Sequence, residues 1–250
     1  MSGVAGGLAS HVMQYDVRPS DLRRSDLHRS DLRPNNVRPS AAWRRPLKIE
    51  RRWGRFRCRT WFRGKEFTSD LSSGNFTLWR RVFSPLRDEP LRILEIGSWE
   101  GRSAIFFLNF FANATITCVD TFSGGSDHRS EQTSRAEERF DRNLAAFGHR
   151  VEKIKGPSQQ GLTSLVAQRR RYDLAYVDGS HARDDVMADS LGVWSMLEPG
   201  GSIVWDDYRW GRNMPPEHRP QPAIDEFLRE REGEYRLLSK GYQVIIERLR

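Results

Sequence analysis

Five short segments between residues 91 and 207 end in glycine or aspartate, and each is followed by a longer stretch of helical periodicity. In the first, Leu91, Ile93, Leu94 and Ile96 form a run too short for a helix and without strict alternation, the pattern of a strand buried on both faces. ATITCVD ends at Asp120, VEKIKG precedes Pro157, and YDLAYVD ends at Asp178. GGSIVWDD is entered through the turn Pro199-Gly200-Gly201 and ends at Asp206 and Asp207. The intervening segments SAIFFLNFF, AEERFDRNLAAFG, PSQQGLTSLVAQRR, HARDDVMADSLGVWSML and PAIDEFLRERE read as helices, and YRLLSKG with YQVIIERL reads as a closing hairpin. Strand and helix alternating in this way predict an α/β fold, a doubly wound Rossmann-like sheet that is mostly parallel with a C-terminal antiparallel hairpin.

The N-terminal region breaks this pattern. Asp16–Ser40 repeats with a period of five, as DVRPS, DLRRS, DLHRS, DLRPN and NVRPS. The units resemble the pentapeptide repeats of square β-helices, but 25 residues make little more than one coil, and Pro19, Pro34 and Pro39 deny donors to a ladder. Residues 1–65 hold 16 Lys and Arg against five Asp and Glu, whereas the remainder holds 25 against 28. The basicity therefore belongs to an arm, read as a solvated, disordered extension over residues 1–45, with the domain over 46–250. Arginines interleaved with aromatics in Ala41–Gly64 could grip single-stranded nucleic acid; the plainer expectation is a lead-in that packs its aromatics on the domain.

At 250 residues, 37% hydrophobic and 30% charged, the chain has room for one substantial core and extra segments. Cys58 and Cys118 lack metal-type spacing and argue against a disulfide scaffold. No apolar run approaches the ~20 residues that span a bilayer, and no basic region followed by an apolar core opens the chain, so a cytoplasmic protein without a membrane partner is expected.

The chemistry gathers where strands end, since ligands of open α/β sheets collect outside the carboxyl ends of strands. The first run closes in Glu95-x-Gly97-x-x-x-Gly101-x-Ser103, where glycines let backbone N–H groups approach a ligand facing the next helix's N-terminus. The spacing differs from the dinucleotide Gly-x-Gly-x-x-Gly, which favours a nucleoside with an amino-acid tail over a pyrophosphate. Asp120 is placed to take two ribose hydroxyls; the alternative is a loop aspartate that caps the next turn. Asp178, Asp206 and Asp207 converge as oxygen ligands suited to Mg²⁺ or another divalent cation, which would lower the pKa of a substrate hydroxyl. The alternative is that Asp206 or Asp207 caps its loop while only Asp178 meets cofactor or substrate. The Pro-rich loop from Arg209 to Pro222 is a candidate lid.

On these motifs residues 67–250 resemble a class I S-adenosylmethionine-dependent methyltransferase, of the branch that includes catechol and macrocin-type sugar O-methyltransferases. The resemblance implies that Glu95, Gly97, Trp99 and Ser103 line the methionine part of S-adenosylmethionine, with Ser98 and Gly101 also among the cofactor-binding residues. It further implies that Asp120 holds the ribose and that Ser158 and Gln159 approach the adenine. The catechol enzymes carry a lysine base three residues after their fourth-strand aspartate, the offset of His181 here. An imidazole titrating near neutrality suits removal of a proton from an activated hydroxyl, which makes Asp178 and His181 the candidate catalytic pair; the alternative for His181 is a cap on the following helix. The catechol pattern has Asp-Asn at the fifth strand end. Asp206-Asp207 is closer to the sugar-modifying relatives and makes a sugar or natural-product hydroxyl the expected acceptor. Two rivals remain: a nucleic-acid methyltransferase recruited through the basic arm, disfavoured by the acidic domain, and a non-catalytic S-adenosylmethionine-binding protein. A homo-oligomer is left open.

Overall fold

A computed structural model of the chain describes residues 60–124, 133 and 135–250. The repeat and the whole arm read over residues 1–45 lie outside the described residues.

Seven strands form one sheet: β1 Arg92–Ile96, β2 Thr115–Asp120, β3 Val151–Lys155, β4 Tyr172–Val177, β5 Leu197–Trp205, β6 Tyr235–Lys240 and β7 Val244–Arg248. Their spatial order is β3-β2-β1-β4-β5-β7-β6. Neighbours among β1–β5 run parallel, while β7 is antiparallel to both β5 and β6. The expected mixed sheet with its terminal hairpin is present. The chain leaves β1 towards β2 on one side and returns to β4 on the other, so a crevice opens at the carboxyl ends of β1 and β4.

Among the described residues, six α-helices flank the sheet: α1 Phe76–Phe83, α2 Arg102–Phe110, α3 Ala136–Leu144, α4 Ser158–Ala167, α5 Arg183–Met196 and α6 Gln221–Glu230. None among the described residues is long and apolar enough to cross a membrane. Alternate strand residues feed two cores, one on each face: Ile93, Ile116, Leu174 and Tyr176 on one, Leu94, Val119, Ala175 and Val177 on the other.

Two boundaries differ from expectation. The helix predicted over 136–148 stops at Leu144 and continues as a 3₁₀ turn, Ala145–Arg150, because Gly148 takes a non-helical φ of 53°. Strand β5 begins at Leu197, before the predicted turn. Tyr172 pairs with Leu197 and Leu174 with Ser202, so the Pro199–Gly201 turn is looped out within the strand.

Helix α1 has no counterpart in the sequence reading. Phe76, Trp79 and Phe83 recur on one face and are all buried. Phe76 stacks on Phe106 at 4.4 Å and Trp79 on Phe107 at 4.8 Å. The Trp79 indole N–H donates to Gln243 Oε1 at 2.7 Å, so this buried ring keeps its polar atom satisfied. Truncating such a side chain to alanine costs about 3–5 kcal/mol. Trp61 and Phe62 also pack on this core, as expected of an aromatic lead-in.

Candidate active site

The turn after β1 is held against two neighbouring strands. Gly97 N–H donates to Val119 O at 3.0 Å, and Asp178 N–H donates to Ile96 O at 2.8 Å. At φ +84° a Cβ on Gly97 would lie 1.9 Å from the carbonyl oxygen of Asp178, so only glycine lets the turn pass. Gly101, at φ +79°, then caps α2. Trp99 is left-handed without being glycine (φ 47°), and its N–H donates to Asp120 Oδ2 at 2.7 Å. The other Asp120 oxygen accepts the Phe122 N–H at 2.5 Å. Asp120 thus pins the turn to the end of β2.

Beneath the turn, Glu95 is fully buried, and burial pushes its carboxyl up to about 7. Cys118 Sγ lies 3.4 Å from its Oε2. Glu95 Oε1 and the buried hydroxyl of Ser98 have no partner in strict hydrogen-bond geometry, though the Ser103 and Ser98 hydroxyls lie close enough to the carboxyl to oppose the rise. Under-satisfied acceptors at the crevice are what the ammonium of an amino-acid tail would satisfy, so the residues fit the expected cofactor. Ser103 is buried nearby on α2. On the β3 side, Ser158 begins α4 with its hydroxyl on Asp189, while Gln159 is exposed. Burial raises Asp189 to about 6.

Across the crevice, β4 and β5 deliver the acidic residues. The Tyr176 hydroxyl contacts Asp178 Oδ2 at 2.8 Å and also bonds Asp206 Oδ2. Asp206 Oδ2 further accepts Asn75 Nδ2–H at 3.1 Å, and its Oδ1 accepts the Asp207 N–H at 2.8 Å. Burial and then the neighbouring charges of Asp206 and Asp207 push Asp178 well above the usual carboxylate range. Burial, followed by the Asp207 charge, raises Asp206 to about 6. Asp207 adopts the left-handed φ of 53° and turns its carboxylate to His181, with Oδ2 2.9 Å from Nε2. The imidazole also stacks on Trp210, with ring centroids 4.0 Å apart. Asp178, Ser180, His181, Asp206, Asp207 and Pro220 line one pocket, with Pro220 coming from the loop expected to form a lid.

As they stand, no set of three or more His, Cys, Asp or Glu side chains among the described residues is arranged to hold a metal ion. The donor chemistry still fits a hard divalent cation, since buried carboxylates that repel one another would be relieved by positive charge.

The segment before α1, which the sequence reading left without a role, is tied to the cofactor turn. Glu100, 1% exposed, accepts Thr68 N–H at 2.6 Å and Arg139 Nη1 at 3.0 Å. Arg102 lies over the Phe62 and Phe67 rings and bonds Asp70 and Ser73. This latch carries Asn75 to Asp206. Of the expected residues, Glu95–Ser103 with Asp120 gather at one half of the crevice. Asp178, His181, Asp206 and Asp207 gather at the other half. Tyr176, Asn75 and Trp210 were missed.

Residues 94–208 match the family described as a methyltransferase domain. A comparison with curated proteins finds no match. Among solved structures, the MycE methyltransferase of the mycinamycin biosynthetic pathway, in complex with Mg and S-adenosylhomocysteine, is 20% identical at a TM-score of 0.54. The alignment covers 73% of this chain and 51% of MycE, so the chain spans about half the length of that relative. The O-methyltransferase NovP is 18% identical at a TM-score of 0.54, covering 71% of this chain and 79% of NovP. An O-methyltransferase from Bacillus cereus in complex with S-adenosylhomocysteine is 16% identical at 0.56, covering 73% and 84%.

The class these findings define is one of fold, a Rossmann-like sheet shared with solved methyltransferases, with a match to a methyltransferase domain over residues 94–208. The chain shares its fold with the O-methyltransferases above.

Proposed function

We propose that the protein methylates a hydroxyl of a sugar or natural-product small molecule, assisted by a divalent cation such as Mg²⁺. The observation that carries this reading is the pairing of His181 with Asp207 beside the Asp178–Asp206 pair, at the strand ends facing the cofactor turn. That MycE was solved with Mg and S-adenosylhomocysteine supports it.

Glu95 and Ser98 would receive the methionine ammonium, Asp120 the ribose hydroxyls, and Ser158 and Gln159 the adenine. Gly97, Trp99, Gly101 and Ser103 shape the turn against which the methionine part lies. The imidazole of His181, held beside Asp207, takes the acceptor's hydroxyl proton. Asp207 then balances the imidazolium, and Trp210 restrains the ring. Asp178, Asp206 and Asp207 would hold the cation, which when bound supplies a Lewis acid that lowers the acceptor hydroxyl's pKa. Asp178 also orients that hydroxyl towards the methyl group.

A crystal grown with S-adenosylhomocysteine and Mg²⁺ tests the reading. The expected result is the nucleoside along Gly97–Asp120 and an ion at Asp178 and Asp206. Density for the nucleoside with no ion at saturating Mg²⁺ removes the metal from the proposal.

A further inference from the structure

The mechanism above uses Asp178 and Asp206 but leaves open what keeps two carboxylates on adjacent strands together. Tyr176 is fully buried and lies two residues before Asp178, so both side chains leave the same face of β4. Its ring is wedged edge-on between Trp79 of α1, at 5.2 Å, and Phe107 of α2, at 5.8 Å. The phenol oxygen therefore has little freedom to move. It touches Oδ2 of both Asp178 and Asp206. A phenol carries a single proton, so one donor serves two acceptors. Asp206 keeps a second side-chain donor in Asn75 and a backbone donor in Asp207.

We propose that Tyr176 is a positioning residue whose hydroxyl clamps Asp178 and Asp206 into one pair beside the pocket that both line. Asn75, brought by the latched N-terminal segment, is the lesser second support of Asp206. The proposal deepens the metal-assisted reading and rests on it only for the binding assay below. Partners of this kind hold ligating carboxylates in place, and their loss typically weakens metal affinity by about 10–100-fold.

The test is Tyr176→Phe in the full chain, which keeps the ring between Trp79 and Phe107 and removes only the hydroxyl. Calorimetry with Mg²⁺ alone should show affinity about 10–100-fold weaker than the parent, while S-adenosylhomocysteine affinity stays within twofold. Asn75→Ala should give a smaller loss in the same direction. Mg²⁺ binding equal to or tighter than the parent's overturns the clamp. If the parent itself takes no Mg²⁺, the metal reading fails, and the clamp is judged by a crystal structure of Tyr176→Phe. Carboxylates of Asp178 and Asp206 that move apart uphold it; an unchanged pair overturns it.

Discussion

The two halves of the crevice are built from opposite materials. On the cofactor side, the turn from Gly97 to Ser103 is fixed by backbone: Gly97 against Val119 and Asp178, and Trp99 on Asp120. On the proposed acceptor side, Asp178, Asp206 and Asp207 face one another, and side chains such as Tyr176, Asn75 and His181 help to hold them. A backbone-built site tolerates little change in shape. A side-chain site tolerates substitution in the fold but loses its chemistry. Stability and turnover should therefore respond separately to changes in the two halves.

The largest effect expected on the acceptor side is that of His181→Ala. It should cut turnover by about 10²–10⁴-fold, the usual range for a general base. Turnover is read as release of S-adenosylhomocysteine with any hydroxyl acceptor the parent uses, and cofactor affinity, by calorimetry, should stay near the parent's. An equal loss of cofactor affinity would erase the division between the halves.

Gly97→Ala is the counterpart. Left-handed strain and the clash with the Asp178 carbonyl should together cost about 2–5 kcal/mol in denaturant unfolding. An unchanged midpoint would mean that the turn yields easily.

Glu95 sharpens the contrast through pH. Its folded pKa of about 7 lies above its ordinary 4.5, so between these values the folded chain binds more protons than the unfolded one. Stability should then fall as pH rises through that window, by at most about 3 kcal/mol from this group. Glu95→Gln should flatten the slope of melting temperature against pH; an identical slope would assign it elsewhere.

A smaller change is expected from Asp120→Ala, which removes an acceptor of two hydroxyls. Each such bond to a charged group is worth about 1.5–3 kcal/mol, so S-adenosylhomocysteine affinity should fall at least about tenfold. The same substitution also frees the Trp99 and Phe122 amides, so a modest fall in melting temperature should accompany it. Unchanged affinity by calorimetry would remove Asp120 from the ribose.

How much the sequence reveals follows the same division. The strand–helix alternation, the glycine turn and the acidic strand ends are local patterns, and they were legible from Leu91–Ser103, Asp120, Asp178 and Asp206. Contacts across long separations were not. Nothing near Asn75 points to Asp206, 131 residues away, and Trp79 meets Gln243 across 164 residues. Tyr176 reads as an ordinary core position until its hydroxyl is placed. The spacing of Phe76, Trp79 and Phe83 did carry a helical signal that would have revealed α1.

The central claim is that the carboxylate cluster serves a cation-assisted methyl transfer while the cofactor half stands apart from it. The most direct measurement adds EDTA to the methyl-transfer assay and follows S-adenosylhomocysteine affinity by calorimetry in the same buffer. Transfer should be abolished, should return on adding excess Mg²⁺, and should leave affinity unchanged, because Glu95, Ser103 and Asp120 lie outside the cluster. Full transfer in EDTA would contradict the account and leave Asp178 as a carboxylate that only orients the acceptor.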